Sequence, residues 1–203
     1  MSDIMSVSRL RLGSDGDGIR TLVGFHGCPL NCRYCANRHC HNLETPRADF
    51  TADELVDILS LDEPYFFMTG GGVTFGGGEP LLQADFIHEV CQKINKRWHC
   101  IIETSLYVDW EQIKALADDI DFWFVDIKDT NDEIYKAYTG QSNQKVLSNL
   151  KDLVDLVGAD KICVRLPLIP GFNTEKDREK SMEHVMAQID ARLMLDIFDY
   201  IRC

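Results

Sequence analysis

The chain has 203 residues, 45% apolar and 27% charged, with 21 basic against 33 acidic side chains and a formal net charge of −12. This composition supports a packed core and excludes a disordered or collagen-like chain, and the length suits one domain over residues 1–203. The acidic excess, relieved only by scattered Lys93, Lys96 and Arg97, argues against nucleic acid or an anionic membrane surface as partner.

Short apolar runs alternate with helical stretches. A strand is predicted at 19–25, followed by a loop carrying Cys28, Cys32, Cys35 and Cys40. Thr51 with Glu54 has the form of a capping box that opens a helix. A second strand, broken by glycines, is predicted at 66–75, and Phe86, Ile87, Val90, Cys91 and Ile94 then fall at helical spacing. Strands follow at 100–103 and 122–127, separated by a helix that Asp109 and Gln112 open as another capping box. A helix through Val146, Leu150, Leu153 and Val157 ends at Gly158. A strand at 161–168, a helix through Met182, Val185, Met186 and Ile189, and a sixth strand at 192–198 complete the pattern. Such alternation predicts βαβ units and a mostly parallel sheet, of the kind found in a partial (β/α)6 TIM-like barrel. Ligands of such sheets gather at the C-terminal ends of strands, and the cysteines, Gly76 to Pro80, Glu103 with Thr104, Asp126 with Lys128, and Arg165 all fall there. No run reaches the roughly 18 apolar residues of a membrane helix, and the first 20 residues carry charges where a signal peptide needs an apolar run, so a cytoplasmic protein is expected.

Four of the eight cysteines cluster, and Cys91, Cys100 and Cys163 read as small buried hydrophobes. In a reducing compartment such a cluster means metal or redox chemistry. Cys28, Cys32 and Cys35 lie within eight residues, and thiolates select zinc or an iron–sulfur centre. Zinc would recruit Cys40, His39 or His41 as a fourth ligand, whereas three thiolates on a four-iron cluster leave one iron open. The glycines before Glu79 permit close backbone approach, and they match neither a P-loop nor a dinucleotide-binding fingerprint. Alternation places Asp126 and Lys128 on one strand face, away from Val125 and Ile127.

The CxxxCxφC pattern with Tyr34 before the third cysteine resembles the signature of the radical S-adenosylmethionine (SAM) superfamily. With Ser14 to Arg20, Phe25-His26-Gly27-Cys28, Gly70 to Leu81, Val125-Asp126-Ile127-Lys128 and Arg165 to Asn173 in the same order, the chain resembles the glycyl radical enzyme activases of the pyruvate formate-lyase activating type. The resemblance implies a 4Fe-4S cluster on Cys28, Cys32 and Cys35 and bound SAM. Tyr34, Gly77, Gly78, Glu79, Glu103, Thr104, Asp126, Lys128 and Arg165 would contact SAM, and Glu103, Thr104, Asp126 and the carbonyl of Phe124 would hold a sodium or potassium ion beside it. It further implies hydrogen abstraction from a glycine of a glycyl radical enzyme, with flavodoxin or ferredoxin as electron donor. Asp15 is a candidate for partner contact, and His26 for a donor near the cluster. No cysteine-rich insertion follows Cys40, so no auxiliary clusters are expected, and the last strand lacks the family's ribose-contacting histidine. The rival readings are a small-molecule radical SAM enzyme of the 7-carboxy-7-deazaguanine synthase type, an activator of anaerobic ribonucleotide reductase, and a zinc or non-catalytic binding module.

Overall fold

Eight strands and seven α-helices lie among residues 2–200, which the computed structural model describes. The fold is α/β, with strands mostly parallel and not closed into a barrel. The chain forms two compact units, one from residues 1–28, 37–103 and 111–122, the other from 29–36, 104–110 and 123–203.

In the first unit the strand order is β3 (Ala48–Phe50), β1 (Ser2–Leu12), β2 (Ile19–Phe25), β4 (Gly72–Gly77), β5 (His99–Thr104). β2, β4 and β5 run parallel, with Arg20 opposite Gly72 and Gly72 opposite His99. β1 pairs antiparallel with both β2 and β3. Neither β1 nor β3 was expected: β1 is rich in polar residues, and β3 is too short for a period to register. Helices α1 (Ala52–Ser60) and α3 (Ala84–Lys93) bury Leu55, Leu59, Ile87 and Val90. Both capping-box bonds between Thr51 and Glu54 are present.

The strand expected at 66–75 is corrected. Residues 66–69 belong to helix α2 (Glu63–Thr69), with Pro at its first turn and Gly70 left-handed at φ 68° just past its end. Both are helix-boundary signals that outweigh a short aromatic run. Phe66 packs edge-on to Trp98, centroids 5.2 Å apart, and the strand begins only at Gly72. A short helix, α4 (Trp110–Lys114), buries Ile113.

In the second unit β6 (Phe122–Asp126), β7 (Ile162–Leu168) and β8 (Met194–Asp199) lie side by side and parallel. The β6–β7 register sets Asp126 opposite Arg165. Helix α5 (Asp132–Thr139), absent from the sequence reading, is capped by the Asn131 side chain and stopped by left-handed Gly140. Helix α6 (Gln144–Val157) ends at Gly158 as expected. Helix α7 (Glu175–His184) begins before Met182 and continues as a π-helical segment, Val185–Ile189. Among the described residues no helix is long and apolar enough to cross a membrane.

Candidate functional site

The expected site residues divide between the two units. In the first, the glycine run is explained by the chain's own backbone. Gly77 has φ 93°, and a Cβ there would lie 2.7 Å from the Phe25 amide nitrogen. A Cβ on Gly78 would overlap the Gly27 carbonyl oxygen and lie 2.9 Å from that of Phe25. The Gly78 amide donates to the Phe25 carbonyl and the Glu79 amide to the Gly27 carbonyl, each at 2.8 Å. The close approach expected toward a ligand is therefore first an approach to the end of β2, where Cys28 begins its loop. Glu79 is 1% exposed and caps the following turn by accepting from the Leu81 amide.

Asp15 does not face a partner. It is buried and ion-paired with Arg11, and its carbonyl accepts from Thr74 Oγ1 at 2.8 Å. Buried Arg20 donates to Thr74 Oγ1 and to the carbonyls of Val73 and His99, each at 2.6 Å. Burial lowers its guanidinium to about 10. His26 is likewise structural, buried with Nε2 3.1 Å from the Asn42 carbonyl.

In the second unit the charged residues converge. Arg165 Nε donates to Asp126 Oδ1 at 2.6 Å, and Lys128 Nζ to Asp126 Oδ2 at 2.9 Å. The Arg165 guanidinium lies 5.1 Å from the centre of the Phe124 ring. Burial would raise the Asp126 carboxyl, but the two cations outweigh it and hold it well below the usual carboxylate range. Burial would likewise lower Lys128, and Asp126 with Cys32 keeps it above the ordinary lysine value. Asp126 and Lys128 share a face, while Val125 and Ile127 are fully buried.

An alkali ion does not fit these donors as found. Each Asp126 oxygen already carries a cation, and Thr104 Oγ1 accepts from the Leu106 amide at 2.9 Å. Leu106, left-handed at φ 56°, is held by that bond and by Asn149, which donates to its carbonyl at 2.8 Å.

Cys28, Cys32 and Cys35 are free and half-buried, whereas Cys40, Cys91, Cys100 and Cys163 are buried. Cys40, the zinc candidate, is wholly enclosed, and its neighbours His39 and His41 are exposed. Among the described residues no three His, Cys, Asp or Glu side chains already form a metal cage. The loop supplies donors rather than a preformed site, and three accessible thiols on one short loop are the right donor chemistry for an iron–sulfur cluster. Burial pushes the Cys32 thiol up, and the charge of Lys128 draws it partly back. Tyr34 stands edge-on to Phe172 and Tyr138, centroids 5.6 and 6.3 Å away, and its carbonyl accepts from the Tyr200 hydroxyl. Sequence reasoning missed Tyr138, Phe172 and Tyr200 because nothing local links residues so far apart. Residues 201–203, which close the segment expected to lack a histidine, lie outside the described residues.

The sequence model of the Radical SAM superfamily matches residues 22–185. The chain belongs to this superfamily of enzymes. The 4-hydroxyphenylacetate decarboxylase activating enzyme of Clostridioides difficile is 30% identical over 90% of this chain and 76% of its own length. Its aligned stretch of 247 positions exceeds the 203 residues here, so that enzyme carries internal segments this chain lacks. The pyruvate formate-lyase-activating enzyme of Clostridium pasteurianum is 33% identical over 93% of this chain and 78% of its length. The isethionate sulfite-lyase activating enzyme of Oleidesulfovibrio alaskensis is 26% identical over 89% of this chain and 78% of its length. Among solved structures, a domain of the pyruvate-formate lyase-activating enzyme of Bacteroides vulgatus superposes with TM-score 0.52 at 26% identity, covering 63% of this chain and 78% of that one. Streptococcus suis SuiB bound to S-adenosylmethionine superposes with TM-score 0.65 at 14% identity, over 90% of this chain and 42% of its own, a likeness of fold. Membership of the superfamily implies a 4Fe-4S cluster and SAM as cofactors. The fold is the open, partial-barrel α/β type that the alternation predicts.

Proposed function

We propose that the protein activates a glycyl radical enzyme, as one domain working in the cytoplasm. Cys28, Cys32 and Cys35 hold the 4Fe-4S cluster. Gly77, Gly78 and Glu79 at the end of β4, Glu103 and Thr104 at the end of β5, and Tyr34, Asp126, Lys128 and Arg165 bind SAM. When bound, cluster and SAM together supply a one-electron reduction that yields methionine and a 5′-deoxyadenosyl radical, with flavodoxin or ferredoxin as the electron source. The chain's own part is to bind and orient. Lys128, kept fully charged by Asp126, is a fixed cation for a carboxylate, and Arg165, restrained by the same aspartate, presents its remaining donors in a set plane. The sodium or potassium ion is not part of this proposal, because its carboxylate is already engaged.

The observation that carries the reading is the trio of free, half-buried thiols, with the Asp126–Lys128–Arg165 charge cluster acting on Cys32 in the second unit. The similarity to three activating enzymes, each named for a different lyase or decarboxylase, supports activation over small-molecule chemistry. Anaerobic reconstitution is expected to load about four irons per chain. Reduction with dithionite in the presence of SAM is then expected to release 5′-deoxyadenosine, and Cys32→Ala to abolish both. Iron loading without cleavage, or none at all, would overturn the reading. A glycyl radical signal by electron paramagnetic resonance, after mixing with a candidate partner, tests the activation step separately.

A further inference from the structure

The last turn of α5 carries the middle of the cysteine loop. The Asn31 amide donates to the Thr139 carbonyl at 3.0 Å and the Arg33 amide to the Tyr138 carbonyl at 3.1 Å, so two backbone bonds bracket Cys32. Gly140, left-handed at φ 82°, ends the helix there. It leaves the last carbonyls without helical partners, and the loop amides take them. The Tyr138 ring packs edge-on against Phe172, centroids 5.1 Å apart, and against Tyr34 at 6.3 Å, between Cys32 and Cys35 in the sequence. Three aromatic rings and two backbone bonds thus fix the loop's position within the second unit.

Tyr138 is 1% exposed, yet its hydroxyl has no hydrogen-bond partner among the described residues. A buried phenol without a partner loses part of its solvation for nothing in return, a cost expected only where a further group completes the bond. The groups acting electrostatically on this phenol are Lys128, Cys32, Tyr200 and Cys35. Burial pushes the phenol well above the ordinary tyrosine value, so it remains a neutral donor throughout the working range.

Resting on the activase reading, we propose that Tyr138 is a positioning residue for the cluster: its carbonyl fixes the loop beside Cys32, and its unpartnered hydroxyl donates to sulfur of the cluster that the loop holds. A donor to cluster or thiolate sulfur stabilises the reduced, more negative state and raises the reduction potential. The low-potential electron needed to cleave SAM is thereby set in part by a residue outside the cysteine motif.

The test is a redox titration of the reconstituted protein, followed by electron paramagnetic resonance, on wild type, Tyr138→Phe and Phe172→Leu, with iron content and thermal stability measured on each. Tyr138→Phe keeps the ring and both backbone bonds and removes only the donor. Its cluster is expected to become about tenfold harder to reduce at fixed potential, or about 59 mV lower for one electron, with unchanged thermal stability. Iron loss at unchanged stability would also support a direct role of the hydroxyl. Phe172→Leu, which removes packing and leaves the hydroxyl, should move the potential less. An unchanged potential in Tyr138→Phe, an equal shift in Phe172→Leu, or a collapse of stability together with iron would each overturn the proposal. Wild type that loads iron and cleaves SAM while Tyr138→Phe titrates normally sinks this inference alone. Wild type that loads no iron takes the activase reading down with it.

Discussion

The end of β4 and the end of β6 serve one proposed site by opposite means. At the end of β4 the essential feature is missing side chains: Gly77 and Gly78 let the backbone bond directly to Phe25 and Gly27. At the end of β6 it is charge, with Asp126 gripped by Lys128 and Arg165. The first is a steric condition with almost no tolerance, because a methyl group has nowhere to go. The second is an electrostatic balance, in which removing one partner leaves the others uncompensated. A glycine-rich motif can therefore be a requirement of the fold before it is a requirement of the ligand, whereas a buried ion cluster is weak evidence of stability and better evidence of function.

The sharpest way to break the comparison is at the glycines. Gly78→Ala is expected to cost 3 kcal/mol or more, roughly the upper range for overpacking, read as a fall in thermal or urea midpoint. Gly76→Ala is the control, since its Cβ would meet only the side chains of Leu22 and Glu103, at 3.2 and 3.3 Å, which can give. It should cost about 1 kcal/mol or less. Equal effects at the two positions would mean that backbone contact is not what selects glycine.

Next comes Asp126→Asn, expected to cost about 3 kcal/mol by leaving Lys128 and Arg165 without their carboxylate. The pH dependence follows from sign. The folded Asp126 carboxyl is depressed, so its contribution is present above the unfolded value of about 4 and is lost as pH falls through the lower folded value. Between pH 5 and 8 wild type minus Asp126→Asn should therefore be flat in stability, narrowing only in acid. A difference that changes with pH in the neutral range would show that the cluster titrates.

A smaller effect is expected at the thiol. Lys128→Met removes the cation that draws Cys32 down, so alkylation of Cys32 in the iron-free protein should slow roughly fivefold, with Cys28 as internal reference. An unchanged rate would detach Lys128 from the cysteine loop. The smallest belongs to the exposed pair between Lys145 and Asp109, 2.8 Å apart. Lys145→Ala should change stability by less than about 0.5 kcal/mol, and a larger loss would mark that contact as more than a surface ion pair.

Much of this was legible in order along the chain. The capping box at Thr51, the stop at Gly158, the helical face of α3 and the cysteine spacing all depend on residues within a few positions of one another. So did the boundary signals of α2, Pro64 and Gly70, which outweigh the aromatic run that suggested a strand. The antiparallel strand β1 was hidden because its place depends on pairing with β2 and β3 rather than on its own pattern. Tyr138 carried no signal at all, since its bond to Arg33 spans more than a hundred residues.

By itself the sequence determined the alternation of strand and helix, the thiol donors and the superfamily signature, because periodicity, capping and motif spacing are local properties. Only the tertiary structure decided that Asp15 is buried on Arg11, that both oxygens of Asp126 are taken, that the glycines serve the chain's own backbone and that α5 carries the cysteine loop. Those outcomes depend on which distant groups meet under burial, and a contact's energy is set by the partner and the solvent it excludes, neither of which a single residue's neighbours in sequence record.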